Sequence, residues 1–135
     1  TVRTLRLETQ ELAIRRLKEI AVGVAAAHGC RADLDYSINY PVTLNDARAV
    51  ELVNAAAREA VGDARVFDLE APIMGGEDFS YYCHEIPSCF FFLGLRPVDA
   101  ETMPDLHQPD FDFNDDAMAT GIEVFCRLAL MLRED

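Results

Sequence analysis

The chain is poor in basic residues, in glycine and proline, and in unbroken apolar runs, and each shortage removes a class of function. Only 12 lysines and arginines stand against 24 acids, a formal charge of −12. A nucleic-acid binder needs a positive patch that displaces counterions from phosphates. The nearest approach, Arg15-Arg16-Leu17-Lys18, is one turn of an amphipathic helix with a solvated charged face, so nucleic acid is not expected as a partner. No stretch reaches the roughly 18 consecutive apolar residues of a membrane span, and no signal peptide is visible. With 7 glycines and 6 prolines the composition is neither fibrous nor disordered. Cys30, Cys83, Cys89 and Cys126 form no C-x-x-C pair, which excludes a zinc knuckle or a thioredoxin-type motif and suits reduced thiols in a cytoplasmic protein. An initiator methionine is missing as well, and Thr1-Val2-Arg3-Thr4-Leu5 already reads as a strand, as expected of a piece of something longer.

What is present is a soluble globular pattern, half apolar and 27% charged over 135 residues, long enough to bury roughly two-thirds of its unfolded surface. After the short β-like start, Thr9 is placed to cap a helix with Leu12, Ala13, Leu17, Ile20, Ala21 and Val24 on one face, ended by Gly29. Residues 30–38 then alternate apolar and polar, which predicts a strand with one buried face and makes the first forty residues β-α-β. Pro41 forces Tyr40 to be extended. Thr43-x-x-Asp46 opens a second helix in the manner of a capping box, with Val50, Val53, Ala56, Ala57 and Ala60 as its stripe and Gly62 as its stop. Ser88-Cys89-Phe90-Phe91-Phe92-Leu93-Gly94-Leu95 is a continuous apolar run of the kind found in strands buried on both faces, so helices should flank the sheet. Residues 96–112 make a long irregular connection with three prolines. Asn114 caps a final helix carrying Ile122, Phe125, Ala129 and Leu132 on its apolar side.

Three places could carry chemistry. His107, in Asp105-Leu106-His107-Gln108-Pro109-Asp110, lies in the long connection, and loops on a rigid scaffold are where ligands concentrate. A neutral imidazole there can bind a metal, although a metal site needs three or more donors and no second histidine stands at ligand spacing. Gly75-Gly76-Glu77-Asp78 sets two residues without Cβ beside two carboxylates, so backbone N–H groups could approach a substrate closely. A glycine turn before a helix start explains the same residues. Cys83 and His84 are adjacent on a helix and point in different directions, which argues against a thiolate and base pair. Asn45 and Arg3 are the remaining polar candidates near chain junctions.

In order along the chain, Thr1-Val2-Arg3-Thr4, Ala27-His28-Gly29, Asn39-Tyr40-Pro41-Val42-Thr43-Leu44-Asn45-Asp46, Met74-Gly75-Gly76-Glu77-Asp78-Phe79-Ser80 and Leu106-His107-Gln108-Pro109-Asp110-Phe111-Asp112-Phe113-Asn114-Asp115 resemble the metal-dependent amidohydrolases. That family includes hippurate hydrolase, aminoacylase, N-acetyl-diaminopimelate deacetylase and the auxin-conjugate hydrolases. The resemblance implies the following arrangement. Residues 1–42 would be the last part of an inserted α+β lid and dimerisation domain. Residues 43–135 would be the C-terminal half of an α/β catalytic domain with a mixed sheet flanked by helices. His107 would be the last protein ligand of a centre of two divalent ions (Zn, Mn, Ni or Co), with the other ligands and the general-base glutamate upstream of Thr1. Gly75, Gly76 and Glu77 would line the substrate pocket, and Asn45 would help bind the carboxylate of the N-acyl amino acid. Many relatives carry serine where this chain has Gly76. A metal centre of this kind polarises the scissile carbonyl and lowers the pKa of a bound water toward about 7. The complete protein would be a cytoplasmic homodimer associating through the lid domain, and the present chain alone would be catalytically incomplete.

Two other readings compete. One is a self-contained α+β binding or oligomerisation module without chemistry, which the lack of further metal ligands also suits. The other is a cysteine hydrolase using Cys83 or Cys89. The ordered motifs favour the amidohydrolase.

Overall fold

The computed structural model describes residues 1–133. Four α-helices follow one another, α1 at Leu7–Ala27, α2 at Ala47–Val61, α3 at Ser80–Glu85 and α4 at Asp116–Met131, with a 3-10 turn at Asp63–Arg65. The chain divides into two compact units, Thr1–Leu44 with Glu70–Ile86, and Asn45–Leu69 with Pro87–Asp135.

The expected α/β (α+β) fold with a mixed sheet is corrected by this architecture, because among the described residues there is no strand and no sheet. The reason lies in what the two-residue period encodes. Alternation specifies which side chains share a face, and residues 32–36 keep that sidedness: Ala32, Leu34 and Tyr36 are half-buried while Arg31, Asp33, Asp35 and Ser37 are exposed. A strand requires in addition a neighbour that completes the ladder of N–H to C=O bonds, and alternation does not encode one. The run at 88–95 departs further from expectation. Ser88 is buried and Phe90 and Phe91 are half-buried, but Phe92 and Leu93 are exposed, so this segment is not covered on both faces.

In the first unit, α1 starts from Arg6, whose carbonyl accepts from the Gln10 N–H at 3.1 Å. Thr9 therefore sits inside the first turn instead of capping it. Leu7 and Glu8 are good helix formers and Glu8 suits the dipole, which lets the helix begin earlier than its hydroxyl residue. The end falls where expected, with His28 as C-cap and Gly29 at φ 68.

In the second unit α2 packs on α4, with Ala56 fully buried and Val124 nearly so. Asp46 is the N-cap of α2, its carboxylate accepting from the Ala49 N–H at 2.9 Å. Thr43 is displaced from that role because the Asp46 N–H is bonded to Ser88 O at 2.9 Å, which keeps residues before 46 out of the helix. Gly62 stops α2 at φ 82. One guanidinium bridges the two helices: Arg127 donates through Nε and Nη2 to Glu123 at 3.0 and 2.7 Å, and through Nη1 to Glu59 at 2.9 Å. The hydrogen bond to Glu123, followed by that to Glu59, raises the Arg127 pKa, so the fork stays charged wherever the carboxylates are ionised.

Candidate functional site

Gly75, Gly76 and Glu77 belong to the first unit, and Asn45 and His107 to the second. The glycine segment is anchored on both sides by groups far away in sequence. Arg3 donates through Nη1 to Met74 O at 2.6 Å. Tyr81 Oη donates to Asn39 O at 2.7 Å, and its ring meets Tyr40 edge-on at 6.1 Å. Neither Gly75 nor Gly76 has a positive φ, and a Cβ built on Gly76 would lie 3.5 Å from the Tyr40 ring, an ordinary contact. These glycines are thus not demanded by backbone conformation, and Gly76 packs against the Tyr40 ring. Glu77 closes the segment, its carbonyl accepting from both the N–H and the hydroxyl of Ser80, at 3.2 and 2.5 Å. Ser80 is fully buried, so the turn that starts α3 is fixed there. The tyrosine anchors were not read from the sequence; Tyr40 next to Pro41, and the Tyr81-Tyr82 pair after the glycines, were the available signal. His84 points to Val42 O at 3.1 Å, which gives the imidazole beside Cys83 a structural partner on the same unit.

Asn45, expected from the resemblance at a substrate carboxylate, has both atoms of its amide engaged on one residue. Nδ2 donates to Phe90 O at 2.9 Å and Oδ1 accepts from Phe90 N at 2.8 Å. With Asp46 N on Ser88 O, this side chain imitates a strand neighbour for the apolar segment.

His107 is exposed and takes φ 73, the sole non-glycine residue with positive φ among those described. An L-residue in this left-handed region costs roughly 1–2 kcal/mol, and such strain persists where surrounding structure over-determines it. His107 is the third residue of the turn closed by Gln108 N on Asp105 O at 3.1 Å, the position where such turns take a positive φ, and a second turn follows, with Phe111 N on Gln108 O at 3.1 Å. Arg96 braces the start of the connection through Nη1 on Ala100 O at 2.7 Å and on Glu101 O at 3.3 Å. Phe111 and Phe113 pack edge-to-face at 4.9 Å. An open hollow of about 310 Å³ lies along the connection, lined by Pro97, Met103, Pro104, Asp112, Phe113 and Asn114 among others.

A metal centre needs at least three donors, and among the described residues no group of three His, Cys, Asp or Glu side chains comes together. The described residues therefore do not bring together a complete metal centre, and His107 stands in the connection as an exposed imidazole. None of the four cysteines is in a disulfide. No helix among the described residues is long and apolar enough to cross a membrane.

Similarity to known proteins is concentrated in one family. Residues 8–131 match the model of peptidase family M20/M25/M40. The chain is 28% identical to hippurate hydrolase of Campylobacter jejuni over 96% of its length and 33% of that protein. It is 28% identical to N-acetylcysteine deacetylase of Bacillus subtilis, over 99% of the chain and 33% of the relative. To N-acetyldiaminopimelate deacetylase of Shouchella clausii it is 32% identical over 91% and 31% respectively. The chain thus spans about a third of the length of the curated relatives it matches. No solved structure matches it significantly. With nearly the whole chain inside one family model, the protein belongs to peptidase family M20/M25/M40.

Proposed function

We propose that the complete protein is an amidohydrolase that cleaves the amide bond of N-acyl amino acids. The observation that carries this reading is the family match over residues 8–131, joined to relatives named for hippurate, N-acetylcysteine and N-acetyldiaminopimelate. His107 serves as one ligand of a centre of two divalent ions, Zn, Mn, Ni or Co, and the remaining donors lie outside residues 1–135. Its exposure in a strained, braced loop suits that role. A bound divalent ion supplies Lewis acidity to the scissile carbonyl and acidity to a water. Residues 1–42 belong to a lid and dimerisation domain and residues 43–135 to the catalytic domain, in a cytoplasmic homodimer.

The test is hydrolysis of a panel of N-acyl amino acids by the complete protein, before and after treatment with a chelator. Activity on at least one member, lost on chelation and regained with added Zn²⁺, Mn²⁺, Ni²⁺ or Co²⁺, is the expected result. Activity untouched by chelation would defeat the metal-centred reading, and inertness toward the entire panel would defeat the substrate class.

Gly75, Gly76 and Glu77 line the acyl side of the pocket in this reading. Because a Cβ at Gly76 meets the Tyr40 ring only at ordinary contact distance, Gly76→Ser should change stability by less than about 0.5 kcal/mol, as for a substitution without a clash. The same variant should shift the ratio of kcat/KM between acetyl and benzoyl substrates. An unchanged ratio would remove Gly76 from the pocket.

A further inference from the structure

Both ends of the connection that carries His107 meet at one side chain. Asn114 Nδ2 donates to Leu95 O at 3.0 Å, joining the residue that follows residues 96–113 to the residue that precedes them. The other amide atom, Oδ1, accepts from Asp116 N at 3.2 Å, and the Asn114 carbonyl accepts from Ala117 N at 3.0 Å, so the same residue is fixed to the start of α4. The neck is part-buried. Such closure of a long surface loop by a single contact near its ends is the arrangement of an Ω-loop. Within the loop sits the one described non-glycine residue with positive φ, His107, held at the third position of the turn closed by Gln108 N on Asp105 O, and that turn keeps one setting only while the loop around it does.

We propose that Asn114 is a positioning residue, the clasp that closes the 96–113 loop and fixes the left-handed backbone of His107. Its donor half holds the loop and its acceptor half takes the first amide of α4, Asp116 N, so the two can be separated. The loop amides of Gln108 and Phe111, bonded to Asp105 O and Gln108 O, report directly on the turns around His107. That the clasp serves catalysis rests on the proposed function; that it holds the loop does not.

The test uses the complete protein with Asn114→Ser and Asn114→Ala. Serine keeps an acceptor for the start of α4 but cannot reach Leu95 O, whereas alanine loses both bonds. Hydrogen exchange across residues 105–113 should be at least tenfold faster in both variants, with the first-turn amides of α4 still slow in Asn114→Ser. Unchanged exchange at 105–113 would overturn the proposal. Titration with Co²⁺ alone, followed by its d–d absorption, is the second readout. Asn114→Ser should weaken Co²⁺ binding at least tenfold with α4 intact, an effect that helix capping by itself would not produce. If His107→Ala weakens Co²⁺ binding and Asn114→Ser does not, the positioning role fails. If exchange quickens as expected but His107→Ala leaves Co²⁺ binding unaltered, the clasp stands and the ligand role of His107 fails.

Discussion

Replacing His107 with glycine should leave the complete protein at least as stable while removing its hydrolytic activity. The two halves of this result have separate causes. The left-handed backbone at His107 costs roughly 1–2 kcal/mol that glycine does not incur. Glycine loses about 0.5–1 kcal/mol through its greater freedom in the unfolded chain. The difference favours the variant by about 0–1.5 kcal/mol, since the exposed imidazole contributes little packing to offset it. Activity should fall by on the order of 10²-fold or more, since disturbing even the outer partners of a metal ligand costs 10–100-fold. Urea denaturation and steady-state kinetics on one preparation measure both. A less stable protein with full activity would contradict the strain and the ligand role together. Loss of stability with loss of activity would mean that the ring holds the loop by contacts of its own.

Asn45→Ala should act in the opposite sense, on stability first. Its amide makes two short hydrogen bonds to the backbone of Phe90, at 2.8 and 2.9 Å, and each is worth about 1 kcal/mol net. Their loss removes the asparagine's hold on the Phe90 peptide beside its half-buried ring. A decrease of about 2 kcal/mol in unfolding free energy is expected, partly relieved where water reaches these exposed atoms. Asn45→Asp should recover only the bond from the Phe90 N–H and set a carboxylate against the Phe90 carbonyl, so it should be no better than alanine. A raised KM in Asn45→Ala would support the role expected of this residue at the substrate carboxylate.

These expectations show which features could be read from residue order and which could not. The ends of α2 follow from local chemistry, Asp46 bonding to the amide three residues on and Gly62 supplying a positive φ. The face of α2 follows from its helical period, with Ala56 buried at its centre, but the face read for α4 does not: Ile122, Phe125, Ala129 and Leu132 are exposed, and Val124 is the residue buried against α2. Thr9 and Thr43 misled as caps because a hydroxyl near a helix start says nothing of competing bonds, such as Asp46 N on Ser88 O. The sheet was misread for a related reason: the sequence of residues 30–38 and 88–95 records side-chain placement, while pairing depends on a second segment. At Phe90 that second segment is reduced to one asparagine side chain. Asn114 was read as the cap of α4, but the N-cap is Asp115 and the Asn114 side chain lies one residue further out, accepting from Asp116 N; its donor to Leu95 O, nineteen positions earlier, has no local signature. The left-handed backbone of His107 likewise has no mark in Leu106-His107-Gln108, since histidine tolerates that region without requiring it.

The Arg127 fork has a mechanical consequence. Glu123 rides on the same helix as the guanidinium, so that contact is blind to any displacement of α4 along its axis. Glu59 belongs to α2, and at 2.9 Å it is the contact that registers sliding. A shift of α4 by one turn, about 5.4 Å, would carry the guanidinium beyond reach of that carboxylate. The Glu59 pairing therefore acts as an index mark, fixing the longitudinal setting at which α4 meets α2.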